Sequence, residues 1–359
     1  ISRAFLDTNG VRVVVDAKVV DKDLDLPEVR RTSPASLEAD TLVVLADLNH
    51  ASQKGLQTIF DSSVGRSTVN HPLGGRYQIT PTESSVQKLP VEHGLTKTAS
   101  VMAQGYNPYL AEWSPYHGAA YAVIDATARQ VATGADWSKA RFSYQEYFER
   151  MDKQAERFGQ PLAALLGSIE AQSQLGLPSI GGKDSMSGTF EELTVPPTLV
   201  AFGVTTANSD AVLSPEFKTT GENIYYLPGQ ALSQTIDFDL IKGNFEKFAD
   251  LQKQYRVTAA SAVKYGGLMG SLALMTFGNH IGVDVQVDNL DTSLTGQLGG
   301  FVFSSPDEID GLVKLGQTNS DFRLLVNDVN LSGEKLLAAF EGKLEEVYPT
   351  EFKQAEELQ

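Results

Sequence analysis

The alanine-rich run Ala119–Ala132 limits the folds open to this chain more than any other segment. Val123 and Ile124 stand among its alanines, and Gly134 follows it. Alanine has the highest helix propensity, and a glycine after the last turn commonly ends a helix. Side chains this small let a helix pack very close to a sheet. The run therefore predicts a central helix against a β-sheet.

Helix and strand patterns are mixed along the rest of the chain. Strands are predicted at 11–15, 41–46, 56–60, 76–80, 198–206, 223–227, 281–287, 300–304 and 322–329. Further helices are predicted at 143–158, 161–176, 237–254, 267–277, 306–315 and 332–346. The mixture in both halves predicts an α+β fold. Segment 208–221, which contains Ser, Pro, Thr and Gly, is the candidate domain boundary.

The composition excludes several classes of protein. With 42% hydrophobic and 21% charged residues, the 359-residue chain suits one large or two ordinary domains. A net charge of −16 without a basic run argues against nucleic acid or a membrane as partner. No segment resembles a membrane span or a signal peptide, so the expected location is the cytoplasm. The absence of cysteine excludes disulfides, thiolate zinc sites and cysteine nucleophiles.

The stretch Ile180–Gly188 is the strongest candidate for contact with a ligand or partner. It reads Ile-Gly-Gly-Lys-Asp-Ser-Met-Ser-Gly and follows the strand-like segment 177–180. Its glycines permit close backbone approach and positive φ angles, so we predict a turn rich in charge and hydroxyls. The spacing differs from that of a Walker phosphate loop. A polar reverse turn without a functional role is the alternative.

The longer string Leu177–Gly188, followed by Pro196–Val204, resembles the second synthetase repeat of formylglycinamide ribonucleotide amidotransferase, also called phosphoribosylformylglycinamidine synthase. The resemblance extends, with gaps, from about Ala51 to about Pro349. It implies an aminoimidazole ribonucleotide synthetase-like fold, with an N-terminal half-barrel sheet plus helices and a C-terminal α/β sandwich. The implied divisions are a tail and linker at 1–37, subdomains at 38–207 and 208–349, and a linker towards a glutaminase at 350–359.

The resemblance also implies an activity in purine biosynthesis. The family enzyme uses ATP and magnesium to activate the formyl amide oxygen of its ribonucleotide substrate, as an iminophosphate. Ammonia from glutamine then displaces phosphate to give the amidine. Oriented phosphates and metal do most of this work. In the family the first repeat is catalytic and the second holds an auxiliary nucleotide, so this chain is expected to be inactive alone, with no catalytic residue.

Matching positions one at a time gives candidate binding residues. Lys54 matches a family lysine that contacts the nucleotide, and Glu83 lies where a metal-binding Asp is expected. Asp125 matches the Glu of the family's Glu-Ala-x-x-Asn helix. Gly266 and Gly267 match glycines that precede a phosphate-facing helix. The resemblance thus implies ATP or ADP at these positions, with magnesium on the two carboxylates.

Two departures from the family pattern weaken this site. Arg129 replaces a metal-ligating Asn, and arginine has no acceptor to offer magnesium. We predict an i,i+4 ion pair between Asp125 and Arg129; in the former metal pocket, the guanidinium would supply the positive charge of magnesium. The family's Asp-x-Ser-Asp-Gly-Gly appears as Ala262–Gly267, without either aspartate. The helix start is expected to persist there, whereas carboxylate coordination is not.

The remaining candidates are interpreted as structural. The five histidines show no metal spacing and are interpreted as turn or surface residues: His50, His71, His93, His117 and His280. The aromatic cluster around the alanine-rich run is interpreted as core or interface packing rather than base stacking. The predicted interface or cleft loop, kept for a neighbouring repeat, consists of Gly182, Lys183, Asp184, Ser185 and Ser187.

Three interpretations stay open. The leading one is an auxiliary repeat cut from between a catalytic repeat and a cysteine-bearing glutaminase of the same polypeptide, which a start at Ile1 suggests. The second is a self-sufficient ATP-binding homodimer, similar to aminoimidazole ribonucleotide synthetase or selenophosphate synthetase. The third is a structural half without nucleotide. Lys54 and Glu83 favour a residual ligand site, whereas Arg129 and Ala262 favour the structural role. The isolated chain could also dimerise through an exposed barrel edge.

Overall fold

The computed structural model describes residues 3, 14–20, 36–62, 66–152, 154–232 and 235–351. Most of the predicted strand at 11–15, the acidic segment 21–34 and nearly all of the linker 350–359 lie outside these ranges. Within them, no helix combines the length and the apolar character that crossing a membrane requires.

The described elements are helices of varied length and strands, in mixed order along the chain. The helices are α1 (Leu37–Leu45), α2 (Lys54–Gln57), α3 (Pro108–Trp113), α4 (Pro115–Thr133), α5 (Ala155–Leu175), α6 (Phe238–Gln254), α7 (Gly267–Phe277) and α8 (Gly333–Gly342). The strands are β1 (Thr68–Asn70), β2 (Leu73–Gly74), β3 (Thr80–Pro81), β4 (Ser85–Lys88), β5 (Thr98–Gly105), β6 (Arg141–Tyr147), β7 (Ser179–Ser185), β8 (Thr189–Phe190), β9 (Leu193–Thr194), β10 (Thr198–Asn208), β11 (Asn223–Leu227), β12 (Gln230–Ala231), β13 (Ala259–Val263), β14 (Gly282–Val285), β15 (Gln297–Leu298), β16 (Gly300–Ser305), β17 (Val313–Asn319), β18 (Arg323–Val326) and β19 (Val329–Ser332).

Two large sheets organise the described chain. Six strands pair in the order β1-β4-β5-β10-β6-β7, and seven pair in the order β13-β16-β11-β17-β14-β18-β19. Strand β7 lies parallel to β6, whereas β10 is antiparallel to both β5 and β6. The predicted boundary segment 208–221 connects β10 of the first sheet with β11 of the second.

Helix α4 packs between the two sheets, against β5 and β10 on one side and β13 on the other. Ser114 caps it by accepting a hydrogen bond from the His117 amide, and Gly134 ends it with φ 87°. From Gly118 to Thr133 every residue except Arg129 is buried. The predicted central helix is therefore confirmed. Its small side chains are required because both sheets approach its backbone.

The apolar core continues from α4 into the second sheet. One cluster joins Ile124 of α4 and Phe142 of β6 to the stacked rings of Phe248 and Phe301. A second cluster lies on the other face of the second sheet and includes Val44 and Phe277. Helix α1 thus packs with α7 and α8, although its residues precede the first sheet in sequence.

Several predicted elements differ from the structure. Segment 41–46 belongs to helix α1, because Leu37, Thr41, Val44 and Leu45 are buried at helical spacing. Segments 56–60 and 76–80 are mainly a short helix and turns. The helix predicted at 143–158 is instead strand β6, whose burial alternates residue by residue, followed by α5 from Ala155. The helix predicted at 306–315 is wrong: residues 306–312 form bends and turns, with Gly311 at φ 78°, and strand β17 begins at Val313.

Candidate functional site

A cavity of about 900 Å³ opens between the six-stranded sheet and the segments that cover it. The sheet contributes Gln104 and Phe202, and the β13–α7 connection contributes Lys264 and Tyr265. Segments 48–53 and 80–85 form further walls. This volume lies in the range of small-molecule sites, so the cavity is the candidate functional site.

Two buried carboxylates, Glu83 and Asp125, lie near the cavity, and Glu83 is part of its lining. Glu83 follows β3 and joins the first half of the chain to β13 of the second sheet. Its Oε1 accepts hydrogen bonds from Ser261 Oγ at 2.6 Å and from the Ala262 amide at 3.2 Å. Asp125 enters the cluster from α4. The structure therefore brings together the two residues predicted as metal ligands.

Two cations accompany these carboxylates. Lys264 Nζ donates to both oxygens of Glu83, each at 2.7 Å. Arg129 Nε lies 3.1 Å from Asp125 Oδ2, which confirms the predicted i,i+4 pair. The guanidinium also approaches Glu83, with Nη1 3.8 Å from Oε2. The charge cluster, defined as Glu83, Asp125, Arg129 and Lys264, therefore contains two groups of each sign.

Burial and neighbouring charge set the protonation of the cluster. Burial acts to raise the pKa of Glu83, but Lys264 and Arg129 outweigh it and hold the pKa below its ordinary value. Burial raises the pKa of Asp125, because the opposing effect of Arg129 and Lys264 is incomplete there. Asp125 Oδ1 makes no hydrogen bond among the described residues. Glu83 is thus the firmly ionised partner of Lys264.

The donor set does not fit a magnesium centre. Magnesium requires an octahedron of oxygen ligands, whereas Lys264 and Arg129 present only hydrogen-bond donors to the two carboxylates. No group of three or more His, Asp or Glu side chains that could hold a metal occurs in the described part of the chain. The cluster instead neutralises its carboxylates with side-chain cations.

The two predicted phosphate-facing glycines begin helix α7. Gly266 and Gly267 have φ angles of 89° and 65°, a backbone region that favours glycine. The Gly267 amide donates to the Lys264 carbonyl at 2.9 Å, and the Met269 amide donates to the Ser293 carbonyl at 3.0 Å. Two backbone amides at the start of this helix therefore already donate hydrogen bonds to carbonyl groups of the protein. Their predicted role towards phosphate stays a prediction.

His50 covers the same helix start. Its ring lies against Gly266, and its Nε2 contacts the Tyr265 carbonyl. Burial, reinforced by the charge of Lys264, lowers its pKa to about 4, so the ring is neutral at pH 7. His50 is in a turn, as predicted, but its ring forms part of the cavity wall.

Lys54 lies apart from the charge cluster. It begins helix α2, and its Nζ is 3.9 Å from Glu341 Oε1 of α8. The neighbouring side chains Gln53 and Gln57 line the cavity, whereas Lys54 does not. The structure therefore does not bring Lys54 together with Glu83 and Asp125, and its predicted nucleotide contact stays untested.

The predicted turn at Ile180–Gly188 is wrong as to structure. Residues Ser179–Ser185 form β7, an exposed strand paired in parallel with β6. The glycines serve this pairing: a Cβ on Gly182 would lie 2.7 Å from the Tyr144 carbonyl oxygen. The predicted loop residues Gly182, Lys183, Asp184 and Ser185 are on this strand, and Ser187 follows it. None of them lines the cavity.

Strand β7 carries a carboxylate pair with its neighbour. Glu146 of β6 is in register with Asp184 of β7. Burial, and secondly the charge of Asp184, raise the pKa of Glu146 to about 7. Sequence reasoning missed this pair because the register of the two strands was not predicted.

Sequence reasoning also missed Lys264 and Ser261, which hold Glu83. Lys264 stands inside the string Ala262–Gly267, which lacks the two aspartates of the family pattern and carries this cation instead. Both partners follow Glu83 by about 180 residues, with separations of 178 and 181. The available signal was a lysine placed just before the glycine pair of α7.

The two sheets with α4 between them have the aminoimidazole ribonucleotide synthetase-like fold. The Thermotoga maritima PurL structure complexed with ATP aligns with a TM-score of 0.64 and 13% identity, covering 86% of this chain and 53% of that one. The AaThiL structure complexed with AMPPCP and TMP aligns with a TM-score of 0.50 and 11% identity, covering 70% and 88%. At these identities the structures show a shared fold.

Sequence comparison shows which proteins of this fold the chain is similar to. No family model matches the chain. The phosphoribosylformylglycinamidine synthase subunit PurL of Carboxydothermus hydrogenoformans is 24% identical over 93% of this chain and 49% of its own length. The PurL subunit of Thermoplasma volcanium is 22% identical over 88% of this chain and 45% of its own length. The chain thus spans about half the length of these relatives. The chain is thus similar in sequence to PurL proteins and shares the fold of PurL structures, as the resemblance implied.

Proposed function

We propose that this chain is the second, auxiliary synthetase repeat of a phosphoribosylformylglycinamidine synthase. The whole enzyme would be a carbon–nitrogen ligase that converts formylglycinamide ribonucleotide to the amidine with ATP and glutamine. Relatives named as PurL support this role, as do T. maritima PurL structures complexed with ATP, ADP and FGAR. The proposal assigns the ATP-dependent step to a different repeat.

The observation that carries this proposal is the charge cluster. Glu83 and Asp125 occupy the positions where the resemblance implies metal ligands, yet each is paired with a side-chain cation. A catalytic phosphoryl-transfer site needs metal and oriented phosphates, which this donor set does not favour. The fold is kept while the ligands for such chemistry are not, which supports a repeat other than the catalytic one.

The proposed partners are the preceding catalytic repeat and a glutaminase. The structure named PurLQS from T. maritima, with a TM-score of 0.55 to this chain, supports assembly with further components. Strand β7 is the proposed contact, because it ends the six-stranded sheet and Ile180 is 79% exposed on it. An unpaired strand edge is a template for pairing with another chain or domain.

An activity assay tests the proposal. The purified chain is mixed with formylglycinamide ribonucleotide, ATP and magnesium, and either glutamine or ammonium, and ADP release is measured. We expect none from the chain alone, and release that requires the chain once the catalytic repeat and glutaminase are added. T. maritima PurL serves as a positive control for the reagents. ADP release by the chain alone would support the self-sufficient enzyme instead.

A structural half without nucleotide is the second candidate. It is favoured by the committed amides of α7 and by the pairing of Lys54 with Glu341. The two candidates differ in calorimetry: an auxiliary site would bind ADP, and a scaffold would give no heat with ADP. Sedimentation of the isolated chain would at the same time detect a homodimer.

A further inference from the structure

The side of the charge cluster that faces the cavity is cationic. The side chains of Arg129 and Lys264 are 26% and 17% exposed, whereas those of Glu83 and Asp125 are 5% and 1% exposed. Both cations line the cavity, and Asp125 does not. Glu83 also lines the cavity, but less of its side chain is exposed, so a molecule that enters the cavity meets mainly the guanidinium and the ammonium.

Arg129 keeps donors for such a molecule. A guanidinium has five N–H donors, and Nε alone is hydrogen-bonded, to Asp125. The 3.8 Å between Nη1 and Glu83 is too long for a hydrogen bond. The Nη atoms thus make no hydrogen bond with the described residues. Pairs of such donors match the oxygens of a phosphate group, and charge-assisted bonds of this kind are short and strong.

The geometry points to a metal-independent anion site: we infer that the cavity binds a small phosphate monoester directly through Arg129 and Lys264. The inference goes beyond the proposed function and does not depend on it. Lys264 Nζ lies 2.7 Å from both oxygens of Glu83, which is the position that a bridging metal would need. A metal ion there would have to displace Lys264 from Glu83, whereas a phosphate group can accept hydrogen bonds from the Nη donors of Arg129.

Charge balance selects a monoester over a polyphosphate. With all four groups ionised the charge cluster is neutral, so it tolerates one phosphate group better than a chain of them. The volume of about 900 Å³ exceeds what a free phosphate ion needs. Polar and aromatic residues such as Gln104 and Tyr106 are available for the uncharged body of the ligand.

Calorimetry on the full chain in EDTA tests the site, with AMP and ribose 5-phosphate as monoester probes, adenosine as the neutral probe and acetate as a carboxylate. We expect AMP and ribose 5-phosphate to bind, and adenosine and acetate to bind at least ten-fold more weakly. Added magnesium should not strengthen binding. The absence of monoester binding in EDTA, or binding that appears only with magnesium, would overturn the inference.

Variants place the binding in this cavity. Arg129→Gln should weaken the binding of AMP by about ten-fold or more, since it removes a charged pair of hydrogen-bond donors. Lys97→Met, at an exposed ion pair with Asp210, is the matched control and should bind as wild type. Gln104→Trp fills the cavity from an exposed position on β5 and leaves the charges in place. It tests the site even if Arg129→Gln unfolds, and wild-type affinity in Gln104→Trp would refute the location.

Discussion

At the scale of single residues, the pairing of Lys264 with Glu83 decides what this pocket can do. The carboxylate receives Lys264, Ser261 and a backbone amide, and it is nearly inaccessible to solvent. Removing one member of a buried ion pair is costly, because the other charge stays desolvated. In this pocket Glu83 is therefore neutralised by a side-chain cation. The contribution of the Lys264–Glu83 pair can be measured as a change in the free energy of unfolding.

We expect Lys264→Met to destabilise the protein by about 3–5 kcal/mol, since Glu83 would lose its closest counter-ion. Urea unfolding at pH 7 measures the loss. The double variant Glu83→Gln with Lys264→Met should recover most of it, because no buried charge is left unpaired. The exposed variant Lys97→Met should leave the stability nearly unchanged, because exposed ion pairs contribute little. A Lys264→Met as mild as this control would contradict the assignment.

Glu146 gives a prediction on pH. Its folded pKa of about 7 lies above the ordinary value of 4.5, so the folded state holds a proton that the unfolded state releases. Stability from this group is therefore complete below about pH 4.5 and is lost as the pH rises to about 7. Glu146→Gln should stabilise the chain at pH 8 by about 1–2 kcal/mol, reduced by partial solvation, and much less at pH 5.

Thermal unfolding of Glu146→Gln at both pH values measures this difference. Glu246→Gln, on the exposed face of α6, is the control and should behave alike at pH 5 and pH 8. Equal effects of Glu146→Gln at the two pH values would show that Glu146 is ionised throughout.

At the scale of elements, the close packing of α4 on β5 is the feature that organises the first sheet. A Cβ on Gly105 of β5 would lie 2.0 Å from the carbonyl oxygen of Ala122 in α4. The alanines of α4 and Gly105 of β5 therefore contact each other, and both must be small for the helix to pack this closely. Helix α4 is predictable from the sequence because its close packing on β5 requires a run of small residues. That run is continuous in the chain, so a local pattern reveals it.

Gly105→Ala should destabilise the chain by about 1–3 kcal/mol, because backbone atoms must move apart to admit one methyl group. Gly243→Ala is the matched control: it lies within α6, where an added Cβ meets nothing within 4 Å. That variant should gain up to about 1 kcal/mol in helix stability. Chemical unfolding of both variants measures the contrast, and equal stabilities would argue against close packing at Gly105.

At the scale of the whole molecule, the six-stranded sheet ends at β7, which belongs to the string that carries the family resemblance. The same residues were predicted as a turn, because glycines and alternating polar groups are typical of turns. Pairing with β6 turns them into an edge strand, and an edge is available to a second domain. The proposed contact with the catalytic repeat therefore depends on the edge of the assembled sheet.

We expect Ile180→Lys to leave the stability of the isolated chain unchanged, since the side chain is 79% exposed, and to weaken association with the catalytic repeat at least ten-fold. Leu95→Lys, at a residue 95% exposed between β4 and β5, is the control and should leave association intact. Sedimentation of the mixed repeats measures the effect. Undiminished association of Ile180→Lys would move the interface away from β7.

The sequence by itself determined the α+β class, helix α4, the family resemblance and the ion pair of Asp125 with Arg129, because each depends on residues near one another in the chain. Only the tertiary structure decided that Lys264 neutralises Glu83 from 181 residues away, that Lys54 pairs with Glu341, and that Gly182 lies on an edge strand. These outcomes depend on sheet register and on packing between distant segments, and local periodicity carries no information about either.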